Sequence, residues 1–244
     1  MSFIRVEKNY TLETLNFVYY SLYALPQDIN KYTNLKKLYC GHNLIKRLEN
    51  LPPTLEILDC SNNNLTQLDN LPPSLIELYC VNNNISQLDN LPDSLKDLQC
   101  CYNEITQLDN LPPNLQSLYC YSNNITQLDN LPNSLTIFDC SNNRISNLDN
   151  LPQSLKRLIC DHCNLTQLDN LPLCLEFLLC NKNAIEQLNN LPNTIQVLGC
   201  SKNNIISFAY LPLELKEFKC KGNPLQYDFE PTIENIRKYN ASKS

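Results

Sequence analysis

Leucine recurs along this chain with a spacing that is neither helical nor strictly alternating. One unit reads Leu55-x-x-Leu58-x-Cys60-x-x-Asn63-x-Leu65-x-x-Leu68-Asp69-Asn70-Leu71-Pro72, and it returns every 20 residues with almost no drift. Leu55, Leu75, Leu95, Leu115, Leu135, Leu155 and Leu175 share one column, which Ile195 and Leu215 continue. A full match also begins at Leu35 (Leu35-x-x-Leu38-x-Cys40-x-x-Asn43), and a weaker one at Leu12, whose link to the next unit is three residues longer. This makes eleven repeats, starting at 12, at 35, and then every 20 residues to 215. A fixed period of this length marks stacked units, each too small to bury its apolar face alone.

The pattern predicts what each unit does. Leu55, Leu58 and Cys60 are expected to point inward from a short strand and its flank, with neighbouring strands paired in parallel about 4.8 Å apart. Asn63 stands where the chain turns away, in a column running Asn43, Asn63, Asn83, Asn103, Asn123, Asn143, Cys163, Asn183, Asn203 and Asn223. A buried Asn there can satisfy backbone groups of its own and adjacent coils. The return has only six residues between Leu68 and Leu75, and Pro72 biases Leu71 toward extended or polyproline backbone, so no helix fits. The expected fold is a mostly β, curved solenoid, with parallel strands on the concave face and an extended or polyproline convex side. A short capping helix is expected over Pro231–Tyr239, with Ile233 and Ile236 inward. The predicted organisation is an N-terminal cap (1–11), the repeat array (12–228) and a C-terminal cap with tail (229–244).

The string L-x-x-L-x-L-x-x-N/C-x-L is the leucine-rich-repeat signature, here with Cys in place of its third Leu. The unit resembles the 20-residue repeats of bacterial type III secreted effectors, in which a Leu-x-x-Leu-Pro return follows the Asn-x-Leu turn. With its Asn-, Ile- and Tyr-rich, Gly-poor usage, the chain also looks like leucine-rich-repeat proteins of giant DNA viruses that infect amoebae. Bacterial ligases that share such repeats carry a separate catalytic domain with a nucleophilic cysteine. Here the array takes up the sequence, so ligase activity is not carried over.

Composition narrows the classes. The net charge of −6 argues against general affinity for nucleic acid or an acidic membrane face. Three glycines and fifteen prolines do not suit a loop-rich enzyme with phosphate cradles. Met1–Lys8 do not read as a signal peptide, and no apolar run reaches membrane-span length, so a cytoplasmic, reducing location is expected. Ten of the thirteen cysteines form a ladder, Cys40, Cys60, Cys80, Cys100, Cys120, Cys140, Cys160, Cys180, Cys200 and Cys220. They read as small buried apolar residues rather than as disulfides or metal ligands. Cys101 is expected to face outward, with a reactive thiol as the alternative to an inert one. The row Glu49, Asp69, Asp89, Asp109, Asp129, Asp149 and Asp169 is expected to be held by turn N–H groups, with calcium binding as the sharper alternative. His42 and His162 stand six coils apart and cannot share a site. No cofactor, metal or small-molecule substrate is expected, and no catalytic triad can be built.

Function is expected where the repeat varies. Solenoids bind through their concave surface, and the outward strand positions here carry Tyr, Phe, Ile and Leu in a near-continuous stripe. The candidate partner-binding residues are Tyr39, Asp59, Tyr79, Tyr102, Tyr119, Tyr121, Ile159, Phe177 and Leu179. The competing reading is that drifting repeats leave apolar residues outside by chance. The expected function is a non-enzymatic scaffold for a protein partner, a host protein if the viral resemblance holds. The alternatives are a structural, self-associating array, or nucleic-acid binding through a basic corner of Lys202, Lys216, Lys219 and Lys221, interrupted by Glu217.

Overall fold

The computed structural model describes residues 9–243, so residues 1–8 of the expected N-terminal cap and Ser244 of the tail lie outside the described residues. Eleven three-residue strands follow one another: β1 (Thr14–Asn16), β2 (Lys37–Tyr39), β3 (Ile57–Asp59), and then one every 20 residues to β11 (Glu217–Lys219). They form a single parallel sheet in sequence order. Register is unbroken, with Leu38, Leu58, Leu78 and Leu98 side by side on successive strands. Each coil of the solenoid is thus one repeat, and coils are numbered here by their strand.

The core is the interior of these coils. From the second coil to the tenth, the first Leu or Ile, the strand-centre apolar residue, the ladder Cys and the Leu or Ile after the turn are almost wholly buried. Backbone pairing reaches beyond the three strand residues. Glu56 N donates to Lys36 O at 2.9 Å, Cys60 N to Tyr79 O at 2.8 Å, and Asn62 N to Val81 O at 2.7 Å. The Asn column works as expected. Asn63 Nδ2 donates to Cys40 O and Cys60 O, both at 3.0 Å, and its Oδ1 accepts from Ile45 N at 2.9 Å, so one side chain stitches two coils. Cys163 keeps only part of this. Its thiol lies 3.4 Å from Cys140 O, but it has no carbonyl to offer the Ile145 N–H.

A second ladder, absent from the sequence reading, lies on the return side. Ser74 Oγ donates to Leu55 O at 2.7 Å, and Thr54, Ser94, Ser134, Ser154 and Thr194 repeat the bond to the preceding coil. The return holds tight turns and no helix, with Leu75 N donating to Pro72 O at 3.1 Å.

The acidic row departs from expectation. Among the described residues, the carboxylates of Asp89, Asp109, Asp129, Asp149 and Asp169 take no hydrogen bond from a turn N–H, and Asp69 bonds the Gln67 side chain. What shapes this edge is the neighbouring Asn. Asn50, Asn70, Asn90, Asn110, Asn130, Asn150, Asn170 and Asn190 all have φ between 55 and 65°. Asn visits this left-handed region more readily than other residues with a Cβ, which explains how the chain turns so often with three glycines.

The longer first link, between the first and second coils, contains a 3-10 turn, Ile29–Lys31, in which Ile29 is buried, as is Tyr32 just after it. Helix α1 (Ile233–Ala241) covers the last coil with a fully buried Ile236. It starts two residues later than the sequence suggests, because Thr232 is the N-cap, its hydroxyl accepting from Asn235 N at 3.2 Å, and Pro231 precedes the cap. No helix among the described residues is long and apolar enough to cross a membrane.

Candidate functional site

On every strand the middle residue points into the core and its two neighbours point out, so the sheet presents two outward columns. The first runs Lys37, Ile57, Glu77, Asp97, Ser117, Ile137, Arg157, Phe177, Val197 and Glu217. The second runs Tyr39, Asp59, Tyr79, Gln99, Tyr119, Asp139, Ile159, Leu179, Gly199 and Lys219. Between the third and ninth coils these side chains are half-buried, each shielded by the coils above and below.

The expected stripe divides into two parts. One is a phenol and carboxylate surface spanning the second to seventh coils. The Tyr79 hydroxyl donates to Glu77 Oε2 at 2.7 Å. Burial, and then that bond, push the Tyr79 phenol well above its ordinary range, and burial raises Tyr119. Asp97 is held up above the usual carboxylate range, first by burial. Among the described residues, Asp97 Oδ1 is the buried side-chain oxygen with no hydrogen-bond partner. Asp59 uses one oxygen locally, accepting from Ser61 N at 3.0 Å, and Asp139 does the same for Ser141 N.

The other part is apolar with one cation. The Arg157 guanidinium lies 3.6 Å from the centre of the Phe177 ring. Ile137, Phe177 and Val197 line a shallow groove with it, rimmed by Lys156 and Glu176. Leu179 leans across the next coil, where a Cβ on Gly199 would sit 2.6 Å from its Cδ2. Ile159 stands beside Asp139 and Leu179.

Tyr102 and Tyr121 are off the two columns. Tyr121 follows the strand, while Tyr102 sits at φ 53° on the edge, 53% exposed, with the two rings edge to face at 5.2 Å. Beneath them lies Cys101, which corrects the expectation of an outward thiol. It is buried, its Sγ 3.3 Å from Tyr119 O, and burial pushes its pKa up to about 12. The position falls one residue past the ladder Cys, where the strand has ended and the alternation of faces no longer holds. The partly exposed thiol is Cys174, in the return-side Ser/Thr ladder.

Two features were not singled out in the sequence. Asp97 was missed because an Asp between Lys96 and Leu98, at an outward strand position, reads as ordinary surface. An exposed cluster of Tyr19, Tyr20 and Tyr23 lies on the first coil, with Tyr19 stacked on His42 at 4.4 Å. The irregular first repeat hid its geometry. The four lysines of the basic corner are all exposed, as is Glu217. Among the described residues no group of three His, Cys, Asp or Glu is placed to hold a metal ion.

The chain matches no protein-family profile and no curated protein. Solved structures do match. YopM from Yersinia enterocolitica superposes with a TM-score of 0.75 at 31% identity, over 82% of this chain and 49% of that one. YopM from Yersinia pestis, a leucine-rich effector protein, gives 0.74 at 30% identity, over 88% of this chain and 68% of that one. The functional domain of InlJ from Listeria monocytogenes, which includes a cysteine ladder, gives 0.74 at 31% identity, over 89% and 55%. The chain spans about half the length of the first and third of these.

Proposed function

Given that the chain belongs to the leucine-rich-repeat proteins with short, effector-type repeats, we propose that it is a non-enzymatic scaffold that binds a protein partner on its concave strand face. One observation carries this reading. The core and the Asn ladder repeat from coil to coil, while side-chain identity changes freely in the two outward strand columns and at the position just past the ladder Cys. Packing explains the invariant columns. It does not require Tyr, Phe, Ile, Leu and Arg outside, and these residues are favoured in protein interfaces, with Tyr and Arg the usual anchors.

The binding residues in this reading are Tyr39, Asp59, Tyr79, Tyr102, Tyr119, Tyr121, Ile159, Phe177 and Leu179. The test is affinity capture with wild type beside a variant carrying Tyr79→Ser, Tyr119→Ser and Tyr121→Ser. Each truncated anchor costs about 2 kcal/mol, and two such losses weaken binding roughly a thousandfold. Capture should fail while circular dichroism stays unchanged, since the Leu, Cys and Asn columns are intact. Undiminished capture by the triple variant would sink the concave-face reading.

A further inference from the structure

The tyrosines of the second outward column fall on alternate coils. Tyr39, Tyr79 and Tyr119 occupy the second, fourth and sixth, with Asp59, Gln99 and Asp139 on the third, fifth and seventh. Because the parallel register is unbroken, the phenols repeat at two strand spacings, about 9.6 Å. A chain lying along the solenoid axis meets all three rings only if it repeats at nearly that distance. A β-strand shows the same face about every 6.7 Å and misses the middle ring by about 2.9 Å, while an α-helix, at about 5.4 Å per turn, overshoots the middle ring by about 1.2 Å and the last by about 2.4 Å. Polyproline II has three residues per turn and a 3.1 Å rise, about 9.3 Å per turn. Between Tyr39 and Tyr119 the mismatch accumulates to about 0.6 Å, within the reach of side-chain adjustment.

Charge states what else the segment carries. The two outward columns of the third to seventh coils hold Asp59, Glu77, Asp97 and Asp139 and no cation. Of the nearest column cations, Lys37 shares the second coil with Tyr39 at one end of the tyrosine row, and Arg157 stands beyond the other end. Asp97 is half-buried, and its enclosed Oδ1 has no donor, so it adds uncompensated negative charge beneath this face. Aromatic-lined surfaces bind polyproline II segments at low entropic cost, because that helix is preformed and has no internal hydrogen bonds to break.

Resting on the concave-face reading, we propose that the second to seventh coils bind a proline-rich, arginine- or lysine-bearing segment in polyproline II conformation. It spans about eight residues along the axis. Its prolines pack on Tyr39, Tyr79 and Tyr119, and its cations meet Asp59 and Asp139, with the charge of Asp97 between them.

The probes are three fluorescent nine-residue peptides: three Arg-Pro-Pro units, the block isomer with three Arg followed by six Pro, and three Glu-Pro-Pro units. The proposal expects the Arg-Pro-Pro peptide to bind at least about tenfold more tightly than its block isomer, and the Glu peptide not to bind. Tyr79→Ser with Tyr119→Ser, and separately Asp97→Asn, should each weaken binding about tenfold or more. Tyr79→Phe with Tyr119→Phe keeps the rings and should stay within about threefold, while Leu213→Ser on the convex side should change nothing. Equal affinity for the block isomer, binding indifferent to the serine pair, or no binding at physiological salt overturns the proposal. If peptides fail while the triple serine variant still loses protein capture, the concave-face reading stands without this partner. If capture survives that variant, both fall.

Discussion

At the scale of the residue, one amide does most of the joining. Asn123 Nδ2 donates to Cys100 O at 3.0 Å and Cys120 O at 2.9 Å, and its Oδ1 accepts from Ile105 N at 3.0 Å. Asn124 is next in sequence, yet its side chain makes no hydrogen bond. Asn123→Ala therefore strands buried donors and acceptors on two coils and should cost about 1–3 kcal/mol. Asn124→Ala should fall within about 0.5 kcal/mol of wild type. Urea midpoints decide it, and equal midpoints for the two variants would refute the bonding scheme. The Asn pair was legible in the sequence because the column is nearly invariant. The burial of Cys101 was not, because alternation predicts a side chain's face only while the strand lasts.

At the scale of the element, strands of three residues are short, and their stability comes from stacking. Each coil also needs sharp corners, and its Asp-Asn corner is made by Asn at positive φ. Asn130, at φ 58°, is exposed and can be varied without touching the core. Asn130→Gly should be neutral to within a few tenths of a kcal/mol, and Asn130→Val should cost about 1–2 kcal/mol, because a Cβ-branched residue is strained in the left-handed region. Similar denaturation midpoints for Gly and Val would show that the corner relaxes. The sequence suggests that the Asp-Asn pairs together hold the corner through turn N–H groups. Geometry assigns that role to the Asn, since the Asp side chains reach no turn N–H.

At the scale of the whole molecule, the solenoid is a column of buried thiols. Burial, together with neighbouring thiols, raises Cys60, Cys100, Cys120 and Cys160 well above the ordinary thiol value of 9.0, and burial raises Cys40, Cys80, Cys180 and Cys200. For these groups the folded pKa exceeds the unfolded one. Their contribution is therefore fully present below about pH 9, and it is lost as pH rises from there toward the folded values. Each thiol that ionises only on unfolding removes about 1.4 kcal/mol per pH unit, so eight together make a steep dependence. Under reducing conditions the melting temperature should be flat from pH 7 to about 8.5 and should drop sharply by about pH 10. A melting temperature unchanged across that range would mean the thiols are not sealed from water. Because each coil touches only its neighbours, the loss should propagate along the array.

The repeat period, the inward Leu, Cys and Asn columns, the parallel strands, the helix-free return and the closing helix were all determined by the sequence alone. The physical reason is that the coil features are local demands repeated from unit to unit and the helix is set by its own sequence, so no distant contact is needed to decide them. Tertiary structure decided what depends on neighbouring coils. It brought Tyr102 and Tyr121 together edge to face, buried Cys101, left an Asp97 oxygen without a donor, and laid Arg157 on Phe177. The ring contacts join residues about 20 apart, where the one-dimensional pattern says which face a side chain occupies but not what it touches there.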